Sequence, residues 1–144
     1  MVDVGGKPVV FREAVAESFL KLRIETIERI KSGRVEKGDV LSTARLAGVL
    51  AAKRTSELIP LCHPLMLTDV KVSLEVAGKE RIRAEAIVRA VERTGVEMEA
   101  LVAVSVALLT VWDMVKQYEK DDAGQYPVTK VEDARVVRKL KGPV

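Results

Sequence analysis

The residues that could do chemistry in this chain are few and stand out by position. The one histidine and the one cysteine are neighbours, Cys62-His63, inside Leu61-Cys62-His63-Pro64-Leu65. Pro60 and Pro64 bracket the segment, and a proline confines the residue before it to extended conformations, so Pro64 helps fix the His63 imidazole. A ring poised to titrate near neutral pH suits proton transfer, while a packed loop imidazole is the plain alternative. Cys62 by itself reads as a small buried hydrophobe more readily than as a nucleophile. Two such residues cannot complete a four-ligand zinc site within one chain, so no metal centre is expected.

Charged residues sit where local structure does not ask for them. Lys37 precedes Gly38 and Asp39, a suitable N-cap, and a lysine beside a helix N-terminus makes an anion site. A solvated loop lysine is the competing reading. Lys53 and Arg54 fall at the other end of the same helix, where cations suit the dipole. Glu97 completes a capping box in Thr94-Gly95-Val96-Glu97 and so has a structural explanation. Glu99, after Met98 at the start of a buried helix, has none. A carboxylate there must find a partner, and it could accept N–H bonds from a purine-like or pterin-like ring. Asp113 follows Trp112 in the second half of that helix, where it opposes the dipole, and Lys116 lies three residues on, on the same face. The pair ends an apolar stretch, so part burial is expected, and burial with a neighbouring charge would tune the lysine for acid–base work. An ordinary helix ion pair is the alternative.

Composition bounds the rest. A chain of 144 residues, 48% hydrophobic and 31% charged, suits one compact domain over residues 1–144. Aromatics are only 3%, so Val, Leu, Ile and Ala must build the core. The net charge of +3 comes from 24 basic against 21 acidic residues, interspersed; this accommodates an anionic ligand without indicating nucleic acid. One cysteine precludes an intrachain disulfide and fits a reducing cytosol. No basic-then-apolar leader opens the chain, and the longest apolar stretch, residues 100–112, is too short to span a bilayer, so a cytoplasmic protein without a membrane partner is expected. No Walker or Rossmann glycine loop appears, nor a Gly-x-Ser-x-Gly elbow.

The elements that must position these residues follow from periodicity. Residues 8–16 predict a first strand. Leu20, Ile24, Ile27 and Ile30 share a helical face, ended at Ser32-Gly33. A second helix is predicted from Asp39 to about Ser56, with Gly48 among alanines where another element comes close. Alternation predicts a hairpin of strands over residues 67–76 and 81–91. A helix buried nearly all round follows Thr94 and ends near Tyr118 or Glu119. Residues 128–137 predict a last strand. Merging the two early helices gives βαββαβ: an α+β, ferredoxin-like fold, a four-stranded antiparallel sheet with helices on one face. The uncovered sheet face and the surplus apolar surface of the long helix argue for a homo-oligomer. The predicted strands of the hairpin carry no aromatics, which argues against RNA stacking on the sheet.

Lys37-Gly38-Asp39-Val40, Leu61-Cys62-His63-Pro64-Leu65 and Gly95-Val96-Glu97-Met98-Glu99-Ala100 together resemble the cyclic pyranopterin monophosphate synthase family of molybdenum-cofactor biosynthesis. Ala44-Arg45-Leu46-Ala47-Gly48, Ala51-Ala52-Lys53-Arg54-Thr55 and Trp112-Asp113-Met114-Val115-Lys116 add to the resemblance, which runs from Met1 to about Lys120. It implies a ferredoxin-like fold assembled as a trimer of dimers with sites near the dimer interface. It implies a lyase that converts 3′,8-cyclo-7,8-dihydro-GTP into cyclic pyranopterin monophosphate with release of diphosphate, using no resident cofactor beyond magnesium that could accompany the triphosphate. By the same resemblance Asp113 is the acid–base residue, with Lys37, Lys116 and His63 beside it. Leu61, Cys62, His63, Met98 and Glu99 match substrate-contacting stretches, and Glu97, Arg45 and Lys53 match other functional positions. The family's usual tail, Lys-Ser-Gly-Gly-Lys-Ser-Gly, is replaced here by residues 138–144, Arg-Lys-Leu-Lys-Gly-Pro-Val, where Lys139 stands for the first lysine.

Overall fold

A computed structural model describes residues 1–144. The chain runs β1 (Val10–Lys21), α1 (Ile24–Lys31), α2 (Val40–Lys53), the single turn α3 (Thr55–Leu58), β2 (Leu67–Ala77), β3 (Arg81–Glu92), α4 (Glu97–Glu119) and β4 (Lys130–Gly142). All pairings are antiparallel and the strand order is β2-β3-β1-β4. This is the expected split βαβ arrangement, an α+β ferredoxin-like sheet. Phe11 pairs with Gly142, so the first and last strands close the same sheet.

Small residues let the long helix lie close to the sheet. Ala14, Ala16 and Leu20 of β1 and Ile82, Ala84, Ala86, Val88 and Ala90 of β3 are fully buried in one cluster with Ala100, Ala103, Val104, Ala107, Leu108, Val111 and Val115 of α4. Helix α2 packs on α4 at Gly48, where an added Cβ would lie 2.9 Å from the Ala103 carbonyl oxygen and 3.1 Å from Val72 Cγ1. Glycine is there because nothing larger fits. At 23 residues α4 is longer than its apolar stretch, and by length and composition it could cross a membrane. Half of its most apolar window is nonetheless buried inside the fold, as befits a core helix.

The opposite sheet face is zipped by charge. Glu13 accepts from Arg89 Nε (2.6 Å) and Arg138 Nη2 (3.0 Å), and Arg89 also reaches Asp69 (3.0 Å). Glu17 accepts from Arg83 (2.9 Å) and Arg135 (2.7 Å). Hydrogen bonds from Arg89 to Glu13 and from Arg135 to Glu17 hold both carboxyls below their usual range. Arg81 lies 3.6 Å over the Phe19 ring near the end of β1.

Four local expectations are corrected. Leu20 belongs to β1, paired with Ile82 and Val131, and α1 begins only at Ile24; its match to the helical spacing is incidental. Helix α2 ends at Lys53, and Thr55–Leu58 form a separate turn. The last strand lies two residues later at its start and extends to Gly142, held at the sheet edge by β1 across two register shifts. The capping box does not form: the N-cap of α4 is Val96 with no side-chain cap, and Glu97 turns instead to Lys139, 3.4 Å away.

Candidate functional site

Two clusters of the sequence-predicted residues form at opposite ends of α4. At the C-terminal end, Lys37 Nζ lies 3.1 Å from Asp113 Oδ2 and Lys116 Nζ lies 3.1 Å from Asp113 Oδ1. Lys37 also donates to the Asp113 backbone carbonyl at 3.1 Å. Each carboxylate oxygen thus holds one ammonium group. Hydrogen bonds from Lys37 first, and Lys116 second, hold the Asp113 carboxyl below its ordinary range, so it is ionised at neutral pH. The side chains of Asp113 and Lys116 are 59% and 44% exposed, so the clamp lies at the surface of the single chain with each side chain about half covered. The two ammonium groups, not burial, offset its unfavourable place on the helix dipole.

The loop that delivers Lys37 is fastened to α4 over several residues. The Glu36 amide donates to the Tyr118 hydroxyl at 3.1 Å, Gln117 donates to Glu36 at 3.3 Å, and the Arg29 guanidinium lies 4.4 Å over the Tyr118 ring. Gly38 then takes a φ of 114°, a turn that side chains disfavour. Asp39 caps α2, accepting from the Ser42 amide and hydroxyl, both at 3.1 Å. The cap carboxylate therefore sits on the helix N-terminus itself, while Lys37 reaches across to Asp113. Sequence reasoning misses Tyr118, Glu36 and Gln117, because ordinary surface polar residues carry no local signal.

At the N-terminal end of α4, Glu99 is 3% exposed. Its Oε2 lies 4.0 Å from Cys62 Sγ, and its Oε1 has no partner. Burial first, with the charge of Glu97 adding, pushes the Glu99 carboxyl up. Burial and Glu99 push the Cys62 thiol up as well, so Cys62 stays protonated, as a packed hydrophobe would. His63 Nε2 lies 2.7 Å from the Val2 carbonyl oxygen. Leu61 and Met98 expose apolar side chains at 70% and 40% beside this cluster in sequence. The Glu97–Lys139 pair adds a charge from β4. Arg45 and Lys53 are exposed on α2, outside both clusters and without ion pairs. No group of three or more potential metal-ligating side chains occurs.

Glu99 and Asp113 are fourteen residues apart on one helix, about 21 Å at 1.5 Å per residue. The fold brings Lys37 to Asp113 and Cys62 to Glu99 but does not bring the two clusters together in one chain.

The family model described as the MoaC family matches residues 1–142. A curated protein of Sulfolobus acidocaldarius named "Probable cyclic pyranopterin monophosphate synthase" is 55% identical over 141 residues, spanning 98% of this chain and 98% of its own length. Proteins of the same name from Pyrococcus abyssi and Thermococcus kodakarensis are 58% and 59% identical, over 98% and 99% of this chain and 88% and 90% of their own lengths.

Proposed function

Because the chain belongs to the MoaC family, we infer that it catalyses the cyclic pyranopterin monophosphate synthase reaction of molybdenum-cofactor biosynthesis. In that reaction 3′,8-cyclo-7,8-dihydro-GTP becomes cyclic pyranopterin monophosphate and diphosphate leaves, a phosphorus–oxygen lyase step. The observation that carries the reading is the Lys37–Asp113–Lys116 clamp, set in a chain that matches the family from end to end.

The chemistry divides between the clusters. Closing the cyclic phosphate requires a sugar oxygen to attack the α-phosphorus as diphosphate departs, and charge builds on the transferring group. Ammonium groups preorganised on an ionised carboxylate stabilise such charge without reorganising. Asp113 therefore orients Lys37 and Lys116, and a lysine gives up or takes the proton that the ring rearrangement moves. At the other end the buried Glu99 carboxyl, its pKa raised by burial and with one oxygen unbonded, can accept N–H bonds from a pterin edge, with Leu61, Cys62, His63, Met98 and Glu97 around it. Lys139, Arg45 and Lys53 supply positive charge for the phosphates.

A small nucleotide cannot bridge 21 Å, so the reading requires a second copy to bring its own Glu99 end to this chain's Asp113 end. A trimer of dimers with sites at the dimer interface meets that requirement, and the exposed Leu46, Leu50 and Leu109 on α2 and α4 leave apolar surface for it. The reaction would run in the cytoplasm without a resident cofactor, with magnesium accompanying the substrate phosphates. The arginines of the charged sheet face are paired with Glu13 and Glu17, which favours a small nucleotide over a nucleic acid as the ligand.

The test is turnover of the cyclised dihydro-GTP with stoichiometric diphosphate release, followed by mixing. Asp113→Ala and Glu99→Ala chains, each inactive alone, should regain activity in verified mixed oligomers. Lack of turnover by the intact protein would refute the activity, and lack of recovery would refute the two-chain site.

A further inference from the structure

The N-terminal segment is folded back on the only imidazole in the chain. The Gly5 amide donates to Asp3 Oδ1 at 2.8 Å and the Lys7 amide to the Val4 carbonyl at 3.0 Å, which turns residues 3–7 on themselves. Arg93 Nη1 donates to the Gly5 carbonyl. The Arg93 carbonyl is itself held by Arg12 Nη2 at 3.1 Å, and Arg12, only 8% exposed, also reaches the Glu92 carbonyl. The far end of the segment then places the Val2 carbonyl 2.7 Å from His63 Nε2. A chain of polar contacts thus runs from inside β1, through the end of β3, to His63.

A carbonyl oxygen has no proton to give, so the hydrogen in this contact belongs to Nε2. The bond made by one ring nitrogen decides what the other can do. We propose that residues 1–6 form a strap whose Val2 carbonyl holds His63 as the Nε2–H tautomer, leaving Nδ1 as the nitrogen free to accept a proton, and that Arg93 is the positioning residue that anchors the strap. The catalytic consequence rests on the function inferred above; the tautomer does not. Met1 and Val2 are 71% and 75% exposed, so the strap has little apolar burial to hold it and depends on its polar anchors.

Because the chain has one histidine, a long-range proton–nitrogen NMR spectrum of the uniformly 15N-labelled full chain reports this imidazole alone. The intact protein should show a single neutral tautomer with Nε2 protonated. Arg93→Ala and a variant lacking residues 1–5 should each show averaged ring shifts from two tautomers. In both, kcat should fall about tenfold with KM nearly unchanged, a smaller loss than the factor on the order of 10² or more for removing the imidazole. Arg93→Lys, which keeps a donor for the Gly5 carbonyl, should recover much of both. If Arg93→Ala does not fold by circular dichroism, the truncation decides the question alone, since it removes only surface residues outside every strand and helix. Mixed tautomers in the intact protein, or an unchanged tautomer after truncation, overturn the strap. Absent turnover with a pure Nε2–H tautomer instead overturns the inferred reaction and leaves the strap standing.

Discussion

Two glutamates on α4 are equally buried and do opposite things. Glu119, with no exposed surface, accepts from the Arg23 amide (3.1 Å), the Thr26 hydroxyl and the Thr129 hydroxyl (2.6 Å). It caps α1, which has no side-chain cap of its own, and ties the last turn of α4 to the residues before β4. Glu99, at the other end, has one distant thiol and one oxygen with nothing to bond. Buried polar groups cost little when satisfied and much when not. Glu119, with all its partners, is architecture; Glu99 keeps one buried oxygen unbonded. Asp113, between them on the helix, is open to solvent and holds two lysines, so it is a third case.

Substitution should be most severe at Glu119. Glu119→Ala strands several buried donors and should cost about 3 kcal/mol or more, read as a fall in the denaturation midpoint. A small change there would mean the cluster is not holding α1. Asp113→Asn should leave stability nearly untouched while lowering kcat by a factor on the order of 10² or more. A folded oligomer of that variant with near-normal rates would remove Asp113 from the chemistry. Gly48→Ala should destabilise by about 1–3 kcal/mol through the forced separation of α2 and α4, and denaturant titration tests it. Tyr118→Phe keeps the ring under Arg29 and removes the acceptor of the Glu36 amide; kcat should drop several-fold as Lys37 loosens, with unchanged far-ultraviolet circular dichroism.

The smallest effect distinguishes Glu99 from Glu13 and Glu17 by sign. Glu99 has its carboxyl raised, so the unfolded chain ionises first as pH rises. Stability is therefore lost as pH climbs from the ordinary glutamate range, about 4.3, through the raised value, and the penalty persists above it. Glu99→Gln should stabilise the protein by about 1 kcal/mol at neutral pH, and the gain should vanish below about pH 4. Glu13 and Glu17 have depressed carboxyls, so their contribution is present above the unfolded range and lost as pH falls through the folded values. A Glu99→Gln gain that failed to shrink on acidification would mean that its burial is not the cause.

Much of this architecture is legible in the order of residues. Alternation places the hairpin of β2 and β3 almost to the residue, because a half-buried strand writes its period directly into its apolar positions. Asp39 announces the start of α2, since an N-cap acts on an amide three residues away. The end of α4 and the odd positions of Glu99 and Asp113 are legible for the same local reason. The failures are also local signals, but ones that were overruled. Leu20 fits a helical face and is taken by the sheet, where Ile82 and Val131 bury it. Glu97 fits a capping box and is drawn instead toward Lys139.

The elements, their split βαβ order and the side chains too costly to place without a reason all follow from residue order, because they depend on contacts within a few residues. Which of those side chains meet is settled only by packing in three dimensions. Lys37 and Asp113 are separated by 76 positions, His63 and Val2 by 61, and Arg93 and Gly5 by 88. No periodicity encodes such pairs. They exist because burying the apolar faces of α2, α4 and the sheet fixes the ends of those elements in space, and the polar groups then bond to whatever the packing has brought within about 3 Å of them.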